Sequence, residues 1–334
     1  MEDLIQKIKD SGLTGRGGAG FPTGQKWSSV AKALEDKRSR GEKNAKVFII
    51  ANGSEGEPSV TKDGWLLENY PEEIINGIKL ALEYLKAEKA FLYLRHDYFE
   101  KYGENLKKII GEMPIAIFRE PGGYLCGEET TLIESMEGKR LEPREKPPYP
   151  TEAGMENCPT LINNLETFYA VSKIAKGEYK KERLYTLSGD ISHPGVFELP
   201  ENWPIEKILH KTLNFPIEDF FVQVGGGASG VIFTSDELEN KATGSGAIVI
   251  YDRKKTDPKA LIKKWLDFYF KENCGKCIPC REGIYRLREL LNQVEVDWEA
   301  VKEICLVLRE ASFCPLGKSV AAPMESLIAK IIEK

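Results

Sequence analysis

KVFIIAN (Lys46 to Asn52), PEEIINGIKLALEYLK (Pro71 to Lys86) and AFLYLR (Ala90 to Arg95) decide the fold of this chain. The first and third are short apolar runs of strand length, and the segment between them carries helical periodicity behind a proline in its first turn. Strand, helix, strand in that order is a βαβ unit. The pattern continues outward with a helix near Tyr98 to Ile110, a strand at Pro114 to Arg119 and a helix around Thr130 to Met136, which predicts an α/β layer with a largely parallel sheet. Leu141 to Pro159 interrupts it, because five prolines there forbid regular structure. After a short helix ending near Lys176, runs such as LYTLSGD, GVFELP, FFVQVGGG and VIFT read as a small β-rich part with one helix at Pro204 to Lys211. From Asp257 onward only helical periodicity remains, with helices expected at Asp257 to Glu272, Arg281 to Gln293, Asp297 to Ala311 and Ser319 to Glu333, a bundle. The domains expected are 1–180, 181–252 and 253–334.

The 334 residues, 41% apolar and 30% charged, suit a folded protein of two or three domains. A net charge of −5 offers no broad grip on a phosphate backbone, so nucleic acid is not expected as a partner. No apolar run approaches the roughly 18 residues of a membrane span, and Met1 to Asp10 reads as neither signal nor transit peptide. A cytoplasmic protein is expected.

Three of the seven cysteines crowd into NCGKCIPCREG as Cys274, Cys277 and Cys280, and Cys314 follows in SFCPLGKS. Three thiolates at two-residue spacing plus one distant thiolate suit a 4Fe-4S cubane. Zinc is the rival, but it usually takes two cysteines from each of two knuckles. Cys314 is preferred to Cys305 because it sits in a break between helices, whereas Cys305 lies mid-helix among apolar neighbours; Cys126 and Cys158 read as buried thiols. Lys276 and Arg281 flank the cluster cysteines. His96, His193 and His210 form no constellation with a nucleophile.

Gly15-Arg16-Gly17-Gly18-Ala19-Gly20 matches G-x-G-x-x-G, yet it follows a helix where a dinucleotide fingerprint would follow a strand. What survives is a loop whose N–H groups can approach a phosphate, with Arg16, Lys26 and a helix start near Lys26 beside it. Asn52-Gly53-Ser54-Glu55-Gly56-Glu57-Pro58 lies just past a strand, where open α/β sheets take ligands; an acidic solvated turn is the plain alternative. Gly122 to Thr130 again sets glycines and carboxylates at a strand-to-helix junction, where Glu128 and Glu129 serve equally as dipole partners.

Taken in order, GRGGAGFPTGQKW, the NGSEGEP loop, GYLCGEET, EGKRLEPREKPPYP, PTLINNLET, SGDISHPGVFELP, GSGAIVIYD and CGKCIPCREG resemble the NADH-binding flavoprotein subunit of respiratory complex I. Its relatives are subunits of NAD-linked hydrogenases, formate dehydrogenases and electron-bifurcating complexes. The resemblance implies a flavin-binding α/β domain, a ubiquitin-like β-grasp (SLBB) domain and a helical iron–sulfur domain. It implies FMN phosphate on Gly15, Arg16, Gly17, Gly18, Gly20 and Lys26, with Asn52, Ser54, Glu55, Tyr124, Glu128, Asn163 and Asn164 about the flavin. It implies NAD(H), with NADP(H) not excluded, on Glu57 and Glu129 as the catalytic pair, Phe21 and Tyr149 beside adenine, and Lys146 on the ribose side. The cluster ligands would be Cys274, Cys277, Cys280 and Cys314. The chain departs from the family pattern in three places: Ser54 stands where Asn-Ala-Asp-Glu has aspartate, Glu120-Pro121 opens the stretch that usually reads Gly-Ala-Gly-Ala-Tyr, and Ser28 occupies a place often aromatic in relatives. The chain reads as the minimal core of the family.

The function expected is hydride transfer from NADH to FMN, then single electrons through the 4Fe-4S cluster to iron–sulfur partner subunits, because no second cysteine set is present. Alternatives are a bifurcating subunit that links NAD(P)H, ferredoxin and a second acceptor, and a non-catalytic iron–sulfur scaffold. Localisation would be cytoplasmic, peripheral to a membrane through partners.

Overall fold

The computed structural model describes residues 2–42 and 45–333. The chain divides into two compact units, Met1–Gly56 with Thr61–Arg183, and Glu57–Val60 with Leu184–Lys334.

The first unit runs α1 (Glu2–Ser11), α2 (Thr23–Ser39), β1 (Phe48–Gly53), α3 (Lys62–Asn69), α4 (Pro71–Leu85), β2 (Lys89–Leu94), α5 (His96–Ile110), β3 (Ile115–Arg119), α6 (Glu129–Met136), α7 (Pro150–Ala153), β4 (Thr160–Asn164) and α8 (Leu165–Lys176). Its four strands are all parallel in the order β3-β2-β1-β4. Phe48 to Ala51 are buried without alternation, because helices cover both faces of such a sheet. One face packs Phe48, Ile50, Tyr93 and Ile162 against Leu132 and Ile133 of α6. The chain builds outward from β1 through β2 to β3, then returns to the other flank of β1 as β4, so the direction of winding reverses between β1 and β4. At such a switch point the loops leaving the two carboxyl ends diverge and open a crevice. The strands and helices expected here are present within one to three residues. β4 and α3 were not expected: TLINN is too short and too polar at its end to read as a strand. The proline-rich stretch also holds one helical turn, α7, with Pro150 at its start, where a proline's missing N–H costs nothing.

The second unit continues β5 (Glu182–Gly189), β6 (Gly195–Pro200), α9 (Ile205–Lys211), β7 (Phe220–Val224), β8 (Val231–Thr234), β9 (Ala247–Asp252), then α10 (Pro258–Glu272), α11 (Ile278–Leu291), α12 (Trp298–Ala311), α13 (Pro315–Ser319) and α14 (Ala321–Leu327). The five strands form a mixed sheet, β6-β5-β9-β7-β8, with β5 parallel and β7 antiparallel to β9. Ile205, Ile208 and Leu209 of α9 pack on Tyr185, Val222 and Ile248 of the sheet. Asp257 and Asp297 cap α10 and α12. Two expectations need correction. α11 starts three residues earlier than expected, so Cys280 lies inside its first turn, and the helix expected from Ser319 begins at Ala321, after the separate short helix that Pro315 opens, and ends in π-type bonding over Ile328–Ile332.

Candidate functional site

The glycine loop is closed at its neck by Gly15 N–H donating to the carbonyl of Phe21 (2.8 Å) and Thr23 N–H to that of Leu13 (2.9 Å). Gly18 and Gly20 take φ of 109° and 65°, which a side chain would resist. α2 begins directly behind it at Thr23, with no side-chain cap and no acidic residue in its first turn. Thr23 N–H is taken by Leu13, and the N–H groups of Gly24 and Gln25 with the positive helix end offer an anion site, which fits the phosphate of FMN. Arg16 is buried: its N–H donates to Thr167 Oγ1 (3.0 Å) and its guanidinium to the Tyr179 hydroxyl (2.9 Å).

Asn52 and Asn164 are register partners at the ends of β1 and β4, so both stand at the mouth of the crevice. Asn52 Nδ2 donates to the Gly127 carbonyl (2.9 Å) and its Oδ1 accepts from Ser54 N–H (3.1 Å). Asn164 Oδ1 caps α8 and accepts from Lys62 Nζ (2.8 Å), while its Nδ2 donates to Asp63 Oδ2 (2.6 Å). Asn163 is buried and, in the amide orientation that satisfies both groups, accepts from the Trp27 indole N–H (2.9 Å). Tyr124 approaches Gly56 so closely that a β-carbon there would lie 2.9 Å from its Cα. Phe21 and Tyr149, each 51% exposed, offer ring faces to solvent, which suits stacking on a planar ligand.

Four charged groups interlock beside the glycine loop. Glu128 caps α6 by accepting from the N–H groups of Thr130 and Thr131 (2.9 Å each) and accepts from Lys146 Nζ (2.9 Å). Glu129 accepts from Lys146 (2.9 Å) and Lys26 (3.0 Å). Burial opposes ionisation of Glu129, but Lys26 and Lys146 outweigh it and hold the carboxyl below its usual range. Burial likewise disfavours charge on Lys146, and Glu128 and Glu129 reverse that.

Glu55 is turned inward. Its carboxylate accepts from Asp63 N–H (2.9 Å), Gly64 N–H (3.3 Å) and the Tyr98 hydroxyl (2.7 Å), capping α3. Burial first, and then the neighbouring Asp63, pushes it up to about 7 from 4.5. A carboxyl raised on folding binds its proton more tightly in the native state, so its contribution to stability is lost as pH rises from 4.5 to about 7. Glu55→Gln is therefore expected to flatten urea-unfolding stability across that window by roughly 2–3 kcal/mol, at 1.36 kcal/mol per unit. An unchanged pH slope in the variant would sink this assignment.

In the second unit, Glu57 Oε1 accepts from the N–H groups of Ala228 (3.0 Å) and Ser229 (3.1 Å), in the turn Gly225-Gly226-Gly227-Ala228-Ser229-Gly230. The sequence alone marks that stretch only as the end of a strand. The cysteines of NCGKCIPC belong to the same unit. Cys277 is the residue before α11 and Cys314 the residue before α13, so each thiol stands at a positive helix end, and Cys280 is in the first turn of α11. Burial, and then Cys277, Cys314 and Cys274, push the Cys280 thiol up to about 12. A buried thiol so reluctant to ionise beside three other thiols needs a cationic centre to become a thiolate. Ser312 Oγ is buried with no partner among the described residues, and a β-carbon on Gly317 would meet both it (2.5 Å) and Cys280 Cβ (3.0 Å). A hydroxyl there can donate to a cluster sulfur, so the corner fits the group. Among the described residues no three His, Cys, Asp or Glu side chains are gathered tightly enough for a single ion; a cubane keeps its ligating sulfurs farther apart than one zinc at about 2.3 Å each does. Arg281 donates to the Gly275 carbonyl (2.9 Å), and Lys276 Nζ lies over the Phe313 ring. Cys305 is buried in α12 and Cys126 is buried, whereas Cys158, expected buried, is half-exposed at the end of a turn. His193 is exposed, with Nδ1 3.3 Å from the Leu213 carbonyl, and His210 stacks on Phe215.

Residues that sequence reasoning missed are Lys62, Asp63, Thr167 and Trp27, each bonded to an expected site residue. No local signal marks them, since Lys62-Asp63 reads as a solvated turn.

Residues 8–173 match the family described as the Nuo51 FMN-binding domain, and residues 260–333 the NADH-ubiquinone oxidoreductase-F iron-sulfur binding region. The F subunit of NADH-quinone oxidoreductase from Streptomyces coelicolor is 33% identical over 370 residues, covering 97% of this chain and 80% of the relative. Its counterpart from Aquifex aeolicus is 32% identical over 373 residues, covering 100% and 84%. A solved NAD+-reducing NiFe hydrogenase in the H2-reduced state superposes with a TM-score of 0.86 at 32% identity, over 98% of this chain. The chain spans 60% of that hydrogenase chain's length. Fold, donor sets and matches together define an oxidoreductase component built for FMN and a 4Fe-4S cluster. The chain belongs to the family of NADH-quinone oxidoreductase F subunits.

Proposed function

We propose that this chain is the NADH-oxidising component of a complex I-like or hydrogenase-like assembly. The observation that carries the reading is the pairing, in one chain, of an uncapped helix start behind a glycine loop at the β1/β4 switch point with a four-cysteine corner. Bound here, FMN would supply the chemistry that accepts hydride from NADH, and a 4Fe-4S cluster one-electron chemistry. The protein's part is binding and orientation: the Gly15–Gly20 loop, Arg16 and Lys26 hold the phosphate end; Asn52, Ser54, Glu55, Tyr124, Glu128, Asn163 and Asn164 shape the flavin pocket. Glu129, held ionised by Lys26 and Lys146, accepts from hydroxyl or amide donors of the nucleotide, as does Glu57. Phe21 and Tyr149 supply stacking area for adenine, and Lys146 serves the ribose side. Cys274, Cys277, Cys280 and Cys314 ligate the cluster.

The division assigns 1–180 to FMN and NAD(H), 181–252 to an SLBB-type domain and 253–334 to the cluster; the order β6-β5-β9-β7-β8 with β5 and β9 parallel and one crossing helix, the β-grasp pattern, supports the middle assignment. Partner subunits with further iron–sulfur centres would receive the electrons. A cytoplasmic location, peripheral to a membrane through partners, belongs to this reading; no helix among the described residues is long and apolar enough to cross a membrane.

The test is anaerobic titration of the FMN-loaded chain with NADH and, separately, NADPH, following flavin absorbance. Bleaching at stoichiometric NADH is the expected result. Bound FMN that neither nucleotide bleaches would overturn the proposal.

A further inference from the structure

Ser54 and Glu120 are 66 residues apart in sequence and touch at the carboxyl end of the sheet: Ser54 Oγ donates to Glu120 Oε2. Glu120 follows β3, and its N–H donates to the Leu94 carbonyl (2.9 Å), which draws it across the end of β2 toward β1. Ser54 in turn lies against Gly127, whose missing side chain would come within 3.0 Å of the Ser54 carbonyl. The pair therefore stands among the loops that line the crevice.

Glu120 is only 3% exposed, and what faces it is a hydroxyl. Arg95 acts on Glu120 only through its charge, as does His96: the Arg95 guanidinium places its hydrogen bonds on both oxygens of Asp97 (2.6 and 2.7 Å) and on the Glu55 carbonyl. Burial pushes the Glu120 carboxyl up, with Ser54, Arg95 and His96 only partly opposing. A carboxyl kept there destabilises the fold relative to an apolar side chain of similar size. Such a group, at the open end of a parallel sheet, is explained by a ligand that donates to it. Both partners are also among the positions at which this chain departs from the pattern it resembles. An acid is missing from one loop and present on the other, and the two side chains meet.

We propose that Glu120 is a flavin-positioning residue, and that the Ser54–Glu120 pair supplies from the end of β3 the hydrogen-bond acceptor that an aspartate at position 54 would otherwise supply. This rests on the flavin reading of the crevice. A carboxyl can accept from the polyol hydroxyls or ring N–H of FMN, and Ser54 fixes its direction.

The experiment measures FMN affinity of the full-length apoprotein by quenching of flavin fluorescence, for wild type, Glu120→Ala, Ser54→Asp and the double variant Ser54→Asp/Glu120→Ala. Losing one charge-assisted hydrogen bond corresponds to an affinity about 10- to 100-fold weaker, expected for Glu120→Ala. Ser54→Asp alone is expected to weaken binding too, because two carboxyls then share one buried site. The double variant should recover most of the affinity, which a merely structural pair would not do. FMN binding by Glu120→Ala equal to wild type, or a double variant no better than Glu120→Ala, overturns the inference. A wild-type chain that binds no FMN overturns the flavin reading itself. If Glu120→Ala does not fold, Glu120→Gln with and without Ser54→Asp carries the same comparison.

Discussion

Cys280→Ala is expected to abolish the cluster: iron and acid-labile sulfide in the purified chain should fall to background. Cys280 is the buried member of the triplet, packed under Gly317 at the corner where α11 and α13 begin, so no solvent ligand can reach its place. Removing one thiolate leaves three sulfurs that still repel one another without a closed coordination shell, and because ligand binding and folding are coupled in such corners, the helices lose stability with it. Cys305→Ala is the matched control. It deletes an equally buried thiol of the same unit, from mid-α12, and should keep the full complement of iron and sulfide. Iron retained by Cys280→Ala, or lost by Cys305→Ala, would refute the ligand assignment. Zinc in place of iron and sulfide in the wild-type chain would refute the cluster.

Lys62→Ala is expected to cost about 3–5 kcal/mol of stability, the range for stripping one partner from a buried ion pair. Lys62 is 2% exposed. Its Nζ lies 2.7 Å from Asp63 Oδ1, 3.2 Å from Glu166 Oε2 and 2.8 Å from Asn164 Oδ1. Burial alone would drive off its proton, and Asp63, Glu166 and Glu55 together keep the ammonium charged. Without it, those three carboxyls lose the ammonium they share in the interior, and protonation of one or more becomes the cheaper way to stay folded. A unit of this size shifts its melting temperature by roughly 2–4 °C per kcal/mol, so the variant should melt about 10 °C lower. Lys62→Met, which keeps the stem but not the charge, should be nearly as damaging if electrostatics dominates. A Lys62→Ala chain within about 1 kcal/mol of wild type, the scale of an exposed pair, would sink this account. Because Lys62 also orients Asn164, FMN retention is expected to fall with stability.

Much of this protein was legible in its residues. The alternation of β-rich runs with helical periodicity from Lys46 to Arg119 led to a parallel sheet, and the spacing of Cys274, Cys277 and Cys280 led to a cluster corner; both depend on neighbours within a few residues. The glycine loop was legible as an anion site but not as a fingerprint, since what precedes it is a helix. Glu128 stood evenly between cap and ligand, and the structure makes it the cap of α6 whatever else it binds.

What the amino-acid order determined by itself is local: where strands and helices begin, which prolines and glycines break them, and which donor atoms fall within one turn. Only tertiary structure decided that TLINN pairs with β1 and so creates the switch point, and that Lys62 is an interior cation bonded 102 residues away. The same holds for Glu57, which turns to amides 171 and 172 residues further on, and for Ser54 and Glu120, which share a proton-bearing contact. The physical reason is common to all four. A polar side chain looks the same in sequence whether water or another segment satisfies it, and which of the two applies is settled when the apolar faces of distant elements pack and exclude the water between them.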